Sequence, residues 1–218
     1  MTARRGSWLL VRVLGMALAA VVAAGCVEPP APEKGPSTGS KGHTETARQN
    51  VSAIRRLGGA VDYGRVDPKT GQRSGITATI TPRMVRAAAA HDLGSAADSD
   101  IRPPGFEDLP ARNHARGHLL GRQLGGSGEE DANLVALYQR RANSPVMRDY
   151  ESAVAEAVER GETIHYRVRP VYPSPTFKGA PSAVRITASG DHGFRLDVLI
   201  DNTAEARVRE YVPLPAGS

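Results

Sequence analysis

Val146, Tyr150, Val154 and Val158 recur every fourth residue between Ser144 and Gly161, a spacing that lines one side of an α-helix with apolar groups. Ser144 suits an N-cap, Pro145 the first helical position and Gly161 the stop, so a helix is predicted over 145–160. Beyond it the period drops to two. Ile164, Tyr166 and Val168, then Val184, Ile186 and Ala188, then Phe194, Leu196, Val198 and Ile200 each predict a strand with one buried face. Upstream, the β-branched run Ile76–Thr81 follows the turn-forming Asp67-Pro68-Lys69-Thr70-Gly71, which predicts a hairpin with a strand near Val61–Val66. Thr81-Pro82 opens a short helix running through His91 toward Gly94, and residues 95–114 read as loop. The sum is an α+β fold, an antiparallel β-sheet with flanking helices.

The N-terminal pattern is of another kind. Residues 1–25 combine a basic start, Arg4 and Arg5, with an apolar stretch from Val13 to Ala24, the form of an export signal. It ends in Ala23-Ala24-Gly25-Cys26, and Cys26 is the chain's only cysteine. The four residues resemble a bacterial lipoprotein cleavage site, which implies lipidation of Cys26 and an extracytoplasmic protein anchored to the cell membrane. An uncleaved membrane anchor and an ordinary secretory signal are the alternatives, and the export route stays open. Residues 26–48, rich in Pro, Gly, Ser and Thr, are expected to form a flexible tether, leaving 49–218 as one domain.

Residues 1–25 carry Arg4, Arg5 and Arg12 and no acid, so without them the formal charge falls from +5 to +2. Net charge alone therefore does not point to nucleic acid; local clusters must. One cysteine allows no internal disulfide, so stability must come from an apolar core.

The segment Asn113-His-Ala-Arg-Gly-His-Leu-Leu-Gly-Arg122 is the densest in chemistry. His114 and His118 stand four apart, as two zinc ligands on a helix would. The glycines at 117, 121, 125 and 126 oppose a helix, and Ala115 stands where the helical zinc-protease motif needs Glu. Arg116, Gly117 and His118 instead supply a fixed cation, a close backbone approach and an imidazole that accepts a proton near neutral pH. Phosphodiester hydrolysis needs such a base, together with positive charge where the phosphorane and leaving oxygen become negative.

From Ala115 onward the chain reads ARGHLLGRQLGGSGEEDANLVALYQRRANSPVMRDYE. It resembles the DNA/RNA non-specific endonucleases of the ββα-metal (His-Me finger) superfamily, in the branch of secreted bacterial nucleases and toxin domains. Arg116-Gly117-His118, Asn133-Leu134-Val135, Asn143 and Glu151 stand at that family's spacing, and Ile76–Thr81 and Arg102-Pro103-Pro104-Gly105 resemble its upstream parts.

The resemblance implies hydrolysis of DNA and/or RNA with little sequence preference. It makes His118 the base that activates water, Asn143 the ligand of Mg²⁺ or another divalent cation such as Mn²⁺, Arg116 a phosphate support, and Glu151 a carboxylate acting on the cation's water shell. Asn133 is expected to shape the strand-to-helix loop. Ala115 departs from the family's Asp; Asn113 and His114 are the nearest candidates to orient His118 instead. Arg122, Arg140, Arg141 and Arg148 are expected to cluster round the site as a substrate-binding surface. Phe106, Tyr138 and Tyr150 are the few aromatics nearby, which favours reading of the backbone over base stacking. The alternative is a catalytically inactive lipoprotein that keeps the fold as a nucleic-acid-binding or structural module. A protein inhibitor stays open as a further partner, its identity not legible in the sequence.

Overall fold

The computed structural model describes residues 39–212. The expected signal peptide, Cys26 and the tether up to residue 38 lie outside the described residues. Among those described, no helix is long and apolar enough to cross a membrane.

Helix α1 (Gly39–Arg56) leads into strand β1 (Ala60–Asp62). The helix therefore occupies 39–48, which composition assigned to the tether; Ala47 and Ile54 are buried, and this packing sustains a helix that Gly, Thr and Lys alone would not. The expected hairpin forms between β1 and β2 (Ile76–Ile80), with Ala60 opposite Thr79. Its strand lies earlier than Val61–Val66, and Val66 contributes only an isolated bridge to Arg73. Helix α2 (Pro82–Ala89) is capped by the Thr81 side chain, and Ile54, Met84, Ala88 and Leu93 form a small apolar cluster between α1, α2 and the turn that follows.

A two-stranded antiparallel ribbon comes next, β3 (His114–His118) against β4 (Leu134–Tyr138). The short parallel pair β5 (Arg140–Arg141) and β6 (Ser144–Pro145) then closes a tight turn before helix α3 (Val146–Glu159). Pro145, not Ser144, is the N-cap residue and no side chain caps this end, because Ser144 is engaged in pairing with Arg140. Strands β7 (Ile164–Val171), β8 (Ala183–Gly190), β9 (Arg195–Asp201) and β10 (Val208–Val212) complete the chain.

The main sheet runs β1-β2-β7-β8-β9-β10, every neighbouring pair antiparallel. Register aligns Ile76 with Val168, Val168 with Ile186 and Ile186 with Val198, so one apolar row crosses four strands. Against this face pack Leu119, Leu120 and Leu124 after β3, Val135 and Leu137 of β4, and Val154 and Val158 of α3. Each such side chain contributes about 1.5–3 kcal/mol by leaving water. The ribbon and the start of α3 are thereby pressed on a rigid sheet.

Candidate active site

His114, Ala115, Arg116, Gly117 and His118 have little strand propensity. They are held extended by β4, whose Leu134-Val135-Ala136-Leu137 is buried throughout, with His118 opposite Leu134 and Gly117 opposite Val135. Alternation puts His114, Arg116 and His118 on one face of β3 and Ala115 and Gly117 on the other. The two histidines are therefore strand neighbours and not a helical metal pair, and among the described residues no three His, Cys, Asp or Glu side chains gather as a metal cage.

His118 Nε2 lies 3.0 Å from the Ser95 carbonyl. Only Nε2–H can donate to a carbonyl, so the neutral ring keeps its lone pair on Nδ1. Burial lowers the His118 pKa below its ordinary value and the nearby Arg122 charge adds to this, while the bond to Ser95 works against it. Burial and the Arg122 charge thus favour the neutral ring. Its orienter is Ser95, not Asn113 or His114. Asn113 accepts from the Arg140 backbone N–H at 2.6 Å, and the His114 ring stacks on Phe106 at 4.2 Å with Nδ1 donating to the Phe106 carbonyl.

Asn143 sits in the turn before α3, its N–H donating to the Tyr138 carbonyl. Its side-chain Nδ2 donates to Gln139 Oε1 at 2.9 Å, which turns Oδ1 toward β3. A Cβ at Gly117 would lie 3.0 Å from that Oδ1 and would overlap the Leu137 side chain. The missing side chain at 117 is what lets the turn approach the strand. Standard backbone lengths then put Asn143 Oδ1 within about 8 Å of the His118 Cα. Asn143 Oδ1 thus meets β3 at Gly117, one residue before His118, on the face that alternation sets opposite the His118 side chain.

Arg116 donates from Nε to the Ile101 carbonyl at 2.6 Å and lies over the Phe106 ring at 4.2 Å, fixing its plane, and among the described residues its terminal nitrogens make no hydrogen bond. Burial and the neighbouring Arg102 lower its pKa, but a guanidinium stays charged. Glu151 of α3 is 7 % exposed, with its carboxyl against Gly121, where any Cβ would overlap it. Burial pushes its pKa up to about 8, against hydrogen bonds from Gln123 and the Gly121 backbone. It has no salt bridge to a Lys or Arg among the described residues.

Arg122 and Arg148 line a cleft of about 480 Å³ between α2 and α3, with Glu151 in its wall and Val85, Ala88 and Ala155 beside them. Arg140 and Arg141 are exposed on the turn that carries Asn143. Asn133 is wholly buried and serves a different loop from the expected one: it pins the segment after β3, accepting from Leu120 N–H and donating to the carbonyls of Leu120 and Ser127. Phe106 and Tyr150 are buried, so neither offers a face to a base.

Residues 70–191 match the family model described as DNA/RNA non-specific endonuclease. The chain belongs to that family. The endonuclease is also similar in fold to NucA from Streptococcus agalactiae, both with no metal bound (20 % identity over 70 % of this chain and 78 % of that one, TM-score 0.52) and with a magnesium ion bound (19 %, 70 % and 80 %, TM-score 0.53). It is similar again to the Sda1 nuclease with a bound zinc ion, at 20 % identity over 66 % of this chain and 74 % of that one, with a TM-score of 0.51. No curated protein matches the chain. The enzyme hydrolyses nucleic acid as a member of this family, and its α+β architecture agrees with its structural neighbours.

The residues that sequence reasoning missed are those acting through backbone or amide groups: Ser95 behind His118, Gln139 behind Asn143, Gln123 and Gly121 around Glu151, and Ile101 with Phe106 behind Arg116. Phe106 stood out as a rare aromatic. No side-chain pattern marks a carbonyl such as that of Ser95.

Proposed function

We propose that the enzyme cleaves phosphodiester bonds of DNA and/or RNA with little sequence preference, with His118 as general base and Asn143 as the protein ligand of a divalent cation. The observation that carries this reading is the imidazole of His118 fixed through Nε2 by the Ser95 carbonyl, with the Asn143 carboxamide, oriented by Gln139, reaching the neighbouring residue of the same strand.

The donor chemistry fits a hard cation. Mg²⁺ or Mn²⁺ takes oxygen ligands and keeps several waters, so one carboxamide oxygen suffices when substrate phosphate completes the shell. Glu151 fits as the carboxylate acting on that water shell, since it is buried with no cationic side chain paired to it. When bound, the ion offsets negative charge on the phosphate and on the leaving 3′ oxygen; the magnesium and zinc of the structural neighbours are consistent with a divalent metal here.

His118 Nδ1 takes the proton of the attacking water as the new oxygen–phosphorus bond forms. The bond to O3′ breaks on the opposite side, and the departing oxygen takes a proton from solvent. The free N–H groups of Arg116 bind the phosphate oxygens, which gain charge in the transition state. Arg122 and Arg148 in the α2–α3 cleft, and Arg140 and Arg141 beside Asn143, contact flanking phosphates. Backbone contacts of this kind carry no sequence information.

The non-catalytic alternative rested on Ala115 in place of Asp. Position 115 faces away from the His118 side chain, and the Ser95 carbonyl orients that ring, which supports the catalytic reading over the alternative. We assign the enzyme to the outside of the membrane, lipid-anchored through Cys26. Incubation of the full chain with plasmid DNA and with RNA, in Mg²⁺ or in EDTA, tests the activity: degradation in Mg²⁺ that EDTA abolishes is expected, and no degradation with any divalent metal would overturn it.

A further inference from the structure

The segment matched to the family begins at residue 70, yet a hydrogen-bonded chain reaches His118 from residues before it. Asn50, on α1, accepts through Oδ1 from the Tyr63 hydroxyl at 2.7 Å. Its Nδ2 donates to the Gly125 carbonyl at 3.1 Å. The Tyr63 hydroxyl in turn accepts from the Ser127 N–H at 3.0 Å. Tyr63 is 7 % and Ser127 1 % exposed, so the bond between them is shielded from water, while the two bonds of Asn50 are part-buried.

Loop 125–128, gripped in this way, is what holds Ser95. Ser95 N–H donates to the Gly126 carbonyl at 3.1 Å, and Ser95 Oγ accepts from the Gly128 N–H at 2.8 Å. The carbonyl of the same serine receives His118 Nε2–H. Every polar group of Ser95 is therefore committed either to this loop or to the imidazole. The loop itself is clamped from one side by Asn133 and from the other by Asn50 and Tyr63.

We infer that α1 and Tyr63 are a working part of the active site: Asn50 and Tyr63 are positioning residues that fix the Ser95 carbonyl, and through it the tautomer and orientation of the His118 base. This rests on His118 being the base. Removing the Tyr63 hydroxyl leaves the buried Ser127 N–H without its acceptor, and the loop must shift to rehydrate it. Ser95 shifts with the loop. A displaced carbonyl releases Nε2–H, and with it the one bond that raises the His118 pKa. Displacements of an ångström at a catalytic group can cost about a hundredfold in rate.

The test uses the full-length chain carrying Tyr63→Phe or Asn50→Ala, with Tyr172→Phe as control. The Tyr172 hydroxyl also accepts a backbone N–H, that of Arg73, but lies outside this chain of bonds. Both test variants are expected to lose about ten- to a hundredfold in kcat with KM for DNA unchanged, and the acid limb of the pH–rate profile is expected to move to lower pH. In ¹⁵N-histidine-labelled protein the His118 Nε2–H resonance should move or broaden in both, whatever the activity. The control should match their loss of thermal stability and leave kcat, the limb and the resonance unmoved. If Tyr63→Phe does not fold, the half-buried Asn50→Ala carries the test. Wild-type kcat, acid limb and Nε2–H resonance in a folded Tyr63→Phe or Asn50→Ala would overturn the inference. An altered resonance in an enzyme whose His118→Ala variant stays active would uphold the positioning and discard His118 as base.

Discussion

The imidazole of His118 and the carbonyl of Ser95 meet across 3.0 Å, and this contact orients the ring without any carboxylate. It leaves Nδ1 unprotonated on a ring whose pKa burial already depresses. The acid limb of kcat/KM should therefore fall below the ordinary histidine value of about 6.5. The linkage has the same sign. With the folded pKa lower than the unfolded one, the unfolded chain binds the proton first, and this residue's contribution to stability is lost as pH falls below about 6.5 toward the folded value. Activity against pH at saturating metal checks the first point; an acid limb above 6.5 would mean the imidazole is held in its charged form.

Asn143 Nδ2 donates to Gln139 Oε1, and that bond turns Oδ1 toward β3. Gln139→Ala should weaken cation affinity by about ten- to a hundredfold, as loss of a ligand's orienting partner does. Asn143→Ala should weaken it further, while Asn143→Asp, which adds charge to the same donor, should retain it. Titration calorimetry with Mg²⁺ and Mn²⁺ reads this directly, and equal affinity in all four proteins would place the cation elsewhere.

Gly117 is constrained from both sides of its missing side chain. A methyl there would overlap Leu137 and crowd Asn143 Oδ1. Gly117→Ala should cost about 1–3 kcal/mol as an overpacked core position and remove most activity. Denaturant unfolding and plasmid cleavage measure the two effects; a stable, fully active variant would show that the turn need not approach the strand.

Glu151 carries a pKa raised to about 8, from the 4.5 of an unperturbed glutamate, by burial. Between those values the folded protein holds a proton that the unfolded chain has released, so its contribution to stability declines as pH rises from about 4.5 to about 8. Glu151→Gln should accordingly gain in thermal stability over the wild type across that window and match it near pH 4.5. Metal-free melting curves from pH 4.5 to 8.5 decide this, and a constant difference between the two proteins would mean that the carboxyl is ionised in the fold.

The sheet was legible because Ile164–Val168, Val184–Ala188 and Phe194–Ile200 alternate strictly and α3 repeats every fourth residue, patterns that burial on one face imposes. Strand β3 was not, since His-Ala-Arg-Gly-His has no apolar alternation and is extended only because β4 is buried beside it. Helix α1 hid behind tether-like composition, its early residues helical through the packing of Ala47 and Ile54 further along. Within the proposed site, His118, Asn143 and Arg116 could be singled out because the chemistry proposed for them belongs to their side chains. Ser95 contributes a carbonyl that any residue could offer, and Asn50 and Tyr63 act through a loop far along the chain.

The most direct measurement is single-turnover cleavage of a DNA duplex by His118→Ala at saturating Mg²⁺, with and without added imidazole. Removing a general base should cost about 10²- to 10⁴-fold, and free imidazole should restore part of the loss in proportion to its neutral fraction. Cleavage by the variant at the wild-type rate would contradict the role given to His118.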